Sequence, residues 1–382
     1  MSKATLFAGI PAENPALYHR VRFGVGDPAG WIQFQSDSAS RTEFIVRDIE
    51  MDRAKKVVRV DKVSCPADYK PASGLSGDRP TATAQAIAEC LKRSQVQVVT
   101  TDRTLPYIYA WHIQQAGIAL EYDPNLGVLD RRAKDQQEIE YLAEAQKVTE
   151  EAILLACQTV ARATAAKDGT LLHKNETLTC ELVQRIVGEF LLDRGFQSPH
   201  GMIVASTPHS GDCHEKGTGP LRTGEAVIID VFPLSSKTRY YGDCTRTVVH
   251  GDPSDMMKRM HAAVIAAKKA ATEAALAGNT ADDVHSATKA QIQAHGFRFS
   301  RGEISDEPVL PHGTGHGVGL EVHEPILLDD NGGTLIACEA LTIEPGLYSR
   351  KYGGVRVEDI VVISASGAPR SLNSLPEGLG WR

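Results

Sequence analysis

Hydrophobic and polar positions change their period along the chain, and each change marks an element. Trp31-Ile-Gln-Phe alternates, Glu43-Phe-Ile-Val is rich in strand formers, and Gln95-Val-Gln-Val-Val is a further short apolar run. All three predict strands. A loop carrying Pro66, Pro71, Gly74, Gly77 and Pro80 precedes Thr81 to Arg93, where Ala84, Ile87, Ala88 and Leu91 recur at helical spacing. The texture changes near residue 130. Asp135 followed by Glu138 predicts a capping box, and Ile139, Leu142, Ala145, Val148, Ala152, Ile153 and Ala156 then line one side of a long helix. A second helix is expected over roughly 175–194, before Gly195. A third runs from Ser254 to Ala277 and a fourth from Asn279-Thr280 to near Gly296. Strand-like segments follow each pair: Gly201–Ala205 and Ala226–Val231 after the first, Ala340–Pro345 and Val357–Ile363 after the second. The pattern helix, helix, strands thus occurs twice. It predicts an α+β protein with a smaller mixed α/β domain over 1–130 and a domain of two related halves over 131–382.

Composition narrows the function without altering this picture. The 382 residues carry 41 Lys and Arg against 48 Asp and Glu, a net charge of −7, whereas a nucleic-acid binder normally shows a basic face. No apolar run approaches the roughly 18 residues of a membrane span, and MSKATLFAGIPAENP makes a poor leader. The seven cysteines are scattered, odd in number and form no CxxC pair. A disulfide framework or a thiolate zinc site is therefore not expected, and a reducing cytoplasm fits. The chemistry should come from oxygen and nitrogen.

Four carboxylates interrupt strand-like sequence: Asp230, Asp243, Glu344 and Glu358. Burying one unpaired carboxylate costs several kcal/mol, so each needs a cation or a proton. Two divalent cations would answer all four at once. His312, His316 and His323 lie within twelve residues, among Gly313, Gly315, Gly317 and Gly319, which would let backbone approach a site closely. One imidazole with four carboxylates suits Mn²⁺, Co²⁺, Fe²⁺ or Zn²⁺ better than Mg²⁺. Singly, each residue reads as a turn, cap or hydrogen-bonding residue; the order Asp, Asp, His, Glu, Glu is what carries the signal.

These segments resemble the pita-bread-fold metallopeptidases: methionine aminopeptidase, aminopeptidase P and prolidase, with the metal-free creatinase as a cousin. The resemblance rests on Asp230, Asp243-Cys-Thr-Arg-Thr, the stretch His312 to Glu324, Glu344-Pro-Gly-Leu-Tyr348 and Gly354-Val-Arg-Val-Glu-Asp359, and it covers about 130–370. Three histidines and Val-His-Glu place it nearest the Xaa-Pro branch. It implies a pita-bread catalytic domain over 131–382 and a creatinase-type N-terminal domain over 1–130. It further implies two divalent ions per chain, manganese foremost, held by Asp230, Asp243, His316, Glu344 and Glu358, with Asp243 and Glu358 bridging. Glu344 doubles as a proton shuttle, and His323 meets the scissile carbonyl. His214, preferred over His209 by spacing, is the upstream histidine. His312, Tyr348 and Arg356 line the substrate pocket, with Arg356 suited to a terminal carboxylate.

The implied function is hydrolysis of the Xaa-Pro bond of dipeptides or peptide N-termini by a metal-bridged hydroxide, in a cytoplasmic homodimer with no nucleic-acid or membrane partner. Two departures touch the pocket. Phe232 stands where the family usually has a small residue, and the hairpin Val231–Gly242 is longer than usual. They keep open a creatinase-like hydrolase or a lyase acting on a non-peptide small molecule. A non-catalytic binding protein on the same scaffold is the remaining alternative.

Overall fold

The computed structural model describes residues 2–35, 40–302 and 305–381. The chain forms two compact units, Met1–Arg131 and Arg132–Arg382. Among the described residues, no helix is long and apolar enough to cross a membrane.

The first unit is built on a six-stranded sheet. Its order is Lys62–Ser64, Ser40–Ile45, Ala29–Gln35, Lys3–Gly9, Val98–Thr101, Ala119–Tyr122. Neighbouring residues of one strand face opposite sides of a sheet. Leu6, Ile32 and Ile45 accordingly pack with Ile87 and Leu91 of the helix Arg79–Arg93. Phe7, Trp31 and Phe44 pack on the other side with Leu17 and Ala54 of two short helices. Both faces are covered, which explains why these strands read as apolar runs. The segment read as a poor leader is strand Lys3–Gly9, with a neighbour on each side.

The second unit repeats helix, helix, strands. Its first half has helices Gln136–Ala161 and Cys180–Asp193 and a sheet ordered Ile203–Ala205, Ala226–Val231, Cys244–Val249. Its second half has helices Asp255–Ala274 and Ala281–Ala294, a four-stranded sheet containing Gly346–Ser349 and Gly353–Arg356, and a five-stranded one containing His316–Gly317, Ala340–Ile343 and Asp359–Val362. The capping box forms: Glu138 N–H donates to Asp135 Oδ1 at 2.8 Å, and Asp135 N–H donates to Glu138 Oε2 at 2.9 Å.

The second helix is shorter than its apolar spacing suggests. Lys174 and Asn175 have φ of 53° and 69° and turn a small hairpin between Leu171–His173 and Glu176–Thr177, as two-residue turns with positive φ do. Thr179 then caps the helix by accepting from Leu182 N–H. The two halves meet along a seam of threonines. Glu358 N–H donates to Thr245 O at 3.1 Å. Thr247 Oγ1 donates to Arg356 O at 2.9 Å and accepts from Arg356 N–H at 3.1 Å.

Candidate metal centre

Strand pairing puts the two aspartates at one end of the first half's sheet. Asp230 lies opposite Thr245 near the end of Ala226–Val231, and Asp243 immediately precedes Cys244–Val249. Gln146, wholly buried on the long helix, clamps Asp243's backbone. Its Oε1 accepts from the N–H at 2.8 Å and its Nε2 donates to the C=O at 2.7 Å. The helix can come this close only at Gly242, where a Cβ would lie 2.1 Å from Thr149 Oγ1 and 2.8 Å from Ala145 O.

The second half supplies His316, Glu344 and Glu358 to the same place. One ligand atom from each of Asp243, His316 and Glu358 lies within 4.8 Å of the others, and all three residues are buried. His316 Nε2 is 3.4 Å from Glu344 Oε1 and 3.8 Å from Asp243 Oδ2. Asp230 Oδ2 accepts from Arg356 at 2.6 Å, while its Oδ1 is buried without a hydrogen-bond partner.

This arrangement is electrostatically strained without a cation. Burial, then repulsion from Glu358, Asp230 and Glu344, pushes Asp243 well above the carboxylate range. Burial followed by Glu344 and Asp230 does the same to Glu358. Burial lifts Glu344 to about 7. Arg356 is one positive charge against four carboxyls. Hard oxygen donors, one neutral imidazole and an orphaned carboxylate oxygen fit divalent metal ions.

A cleft of about 900 Å³ opens over these groups. His214, His312 and His323 line it together with Asp230, Asp243, His316, Glu344 and Glu358. The His323 and His316 rings are 4.2 Å apart. Burial keeps His312 neutral, down to about 4, and also lowers His323. His209 takes no part in the wall; its Nδ1 accepts from Thr218 N–H at 3.2 Å.

Two expectations need correction. Tyr348 is not on the pocket wall but 1% exposed behind it. Its hydroxyl meets His312 Nε2 at 3.0 Å and accepts from Arg356 Nη1 at 2.7 Å. Arg356 reaches the cleft, but its donors go to Asp230, Tyr348, Cys213 O and Thr245 Oγ1. It is a counter-ion and brace rather than a free fork for a substrate carboxylate.

The glycines of the histidine segment also act differently from expectation. Gly315 and Gly317 admit backbone against backbone, while Gly319 makes room for the Glu324 carboxylate. At Gly315 a Cβ would stand 2.0 Å from Thr342 O, between the segment bearing His316 and the strand before Glu344. Gly315→Ala is expected to cost about 1–3 kcal/mol by overpacking, read as a lower urea midpoint at unchanged slope.

Sequence reasoning passed over several groups here. His200, Lys216 and Tyr241 line the cleft, and the only signal for them was proximity to Asp230 and Asp243. Buried Lys134 pairs with Glu324 at 2.8 Å, and Glu324 also accepts from Leu320 N–H at 2.9 Å, holding the loop that carries His323. Phe232, flagged from sequence, does stand on the cleft wall.

Comparison with known proteins identifies the fold and the family. The Xaa-Pro dipeptidase of Pyrococcus horikoshii is 27% identical, over 97% of this chain and 93% of its own. The Xaa-Pro dipeptidase of Pyrococcus furiosus is 32% identical over 63% of each chain. The solved prolidase of Pyrococcus horikoshii superposes with a TM-score of 0.77 at 23% identity, covering 99% of this chain and 95% of that one. The X-Pro aminopeptidase of Thermotoga maritima gives 0.77 at 22% identity, over 98% and 96%. These solved neighbours share the pita-bread fold. The model of metallopeptidase family M24 matches residues 140–365, a span containing every ligand candidate above, and the chain belongs to that family.

Proposed function

We propose that the protein hydrolyses the bond preceding proline in dipeptides, or at peptide N-termini, with two divalent metal ions. The observation that carries this reading is the convergence of four carboxyls and His316 beneath an open cleft, with Asp230 Oδ1 lacking any partner. Asp230, Asp243, His316, Glu344 and Glu358 would hold the ions. Manganese is the ion we assign, with cobalt, zinc and iron as competitors for the same donor set. When bound, the ions would supply an acidified water and Lewis-acid polarisation of the scissile carbonyl.

The chain's own residues do the rest. Glu344, beside His316 at 3.4 Å, would relay a proton to the departing proline nitrogen. Neutral His323 is placed to donate to the carbonyl oxygen as charge develops there. His312, fixed by Tyr348, and His214 orient the substrate. Arg356 holds Asp230 in one rotamer through its bond at 2.6 Å. Phe232, Ile203 and Val322 give the wall an apolar surface that displaces water from the substrate. We also assign a homodimer in a reducing cytoplasm. The seven free thiols support the compartment, and family resemblance supports the dimer.

The decisive assay compares Gly-Pro and Ala-Pro with Ala-Pro-Ala, before and after chelation and with Mn²⁺ restored. Mn²⁺-dependent release of proline from the dipeptides is expected. Turnover that survives chelation, or no turnover of any of the three with metal present, overturns the reading.

A further inference from the structure

With Arg356 committed to Asp230, the carboxylate end of a dipeptide needs another cation. Three basic side chains line the cleft: Lys216, Arg301 and Arg356. Arg301 forms a two-pronged pair with Asp329, at 2.8 and 2.6 Å, so its charge is also matched. Lys216 differs. Its Nζ donates to a neutral acceptor, His200 O, at 2.9 Å. Among the described residues it is the cleft-lining cation without a carboxylate partner.

Its position suits the task. Lys216 C=O accepts from Val204 N–H at 3.1 Å, and Ile203, the preceding residue, pairs with Asp230. Lys216 therefore lies two strand spacings from Asp230, about 10 Å. A lysine stem and one proline residue of about 3.5 Å bridge that distance. The stem is steered over Gly201, where even a Cβ would sit 3.1 Å from Nζ. His214, two residues earlier, shares the wall with it, so the segment presents both to the cleft.

We infer that Lys216 is a specificity-determining residue that receives the substrate's terminal carboxylate, trading its bond to His200 O for a charge-assisted one. This rests on the peptidase reading above and makes the substrate class short peptides ending at proline.

The test is the ratio of kcat/KM for Ala-Pro to that for Ala-Pro-NH₂, measured with Mn²⁺ on wild type, Lys216→Met and Lys216→Arg. Wild type is expected to favour the free acid by roughly 10- to 100-fold, the range of a hydrogen bond between charged groups. Lys216→Met should bring the ratio close to one, mainly through KM for Ala-Pro, and Lys216→Arg should restore most of it. An active Lys216→Met enzyme with the wild-type ratio overturns the assignment alone, as does an equal fall on both substrates. A wild-type enzyme inactive on both overturns the peptidase reading and this assignment with it.

Discussion

Asp243→Asn is expected to lower kcat/KM on Ala-Pro by at least about 10²–10³-fold, the scale seen when a group aimed at developing charge is removed. The substitution keeps shape and removes only charge. Asp243's backbone is gripped by Gln146 through its N–H and C=O, which asparagine retains, so the fold should persist. The loss should therefore appear together with a drop of one metal ion or more per chain, and without a change in circular dichroism. Asparagine also removes one member of a repelling group of buried carboxyls. The metal-free variant should thus unfold no more easily than metal-free wild type. Retention of more than a tenth of the activity with full metal content would contradict the site.

The second large effect concerns metal-free protein above neutral pH. Asp243 and Glu358 are held well above the ordinary carboxylate range by burial and by repulsion from neighbouring carboxyls, and Glu344 stands at about 7. A carboxyl raised in the folded state binds more protons folded than unfolded, so rising pH favours unfolding. Its contribution is complete below the unfolded value near 4 and is lost as pH passes the folded value. Buried His312 and His316, lowered to about 4 and about 3, act in the opposite sense, but only below their ordinary value of 6.5. Between pH 7 and 9 the histidines no longer contribute, and buried thiols such as Cys90 and Cys180, raised to about 12 and about 11, join the carboxyls in the same sense toward the upper end. Each carboxyl still protonated contributes about 1.4 kcal/mol per pH unit, so chelated protein should lose stability steadily as pH rises in urea titrations. Restoring Mn²⁺ should flatten the trend, because the ionised carboxylates then become ligands. A metal-free midpoint that stays level or rises with pH would contradict the account.

Much of this architecture was legible in local chemistry. Asp135 and Glu138 announced the long helix because a capping box is a contact three residues apart. The four carboxylates stood out because each breaks an apolar strand, and His316 because it lies among glycines beside His312 and His323. What stayed hidden depended on distant partners. Lys3–Gly9 gave no reason to be a sheet interior until its neighbours at 29–35 and 98–101 were known. Tyr348 and Arg356 sit in segments that belong to the site, but which of their atoms face the cleft is decided by Asp230 and His312, more than thirty residues away in sequence. Gly315 reads as room for backbone beside a site, while its reason is the carbonyl of Thr342. Lys216 was overlooked because a lysine in a polar loop looks like ordinary surface.

The threonine seam has a mechanical consequence. Thr245 and Glu358 are 113 residues apart, yet they flank the same cluster, and the ligands on either side belong to different halves. An ion held by both Asp243 and Glu358 would act as a staple closing a chain loop of nearly the same length. Covalent links across loops of about 100 residues are worth about 4–5 kcal/mol in chain entropy, and a coordinate link draws on the same source. The metal would then fasten the molecule as well as serve its chemistry. Withdrawing it should free the amide protons along 245–247 and 356–358 to exchange with solvent before those inside either half.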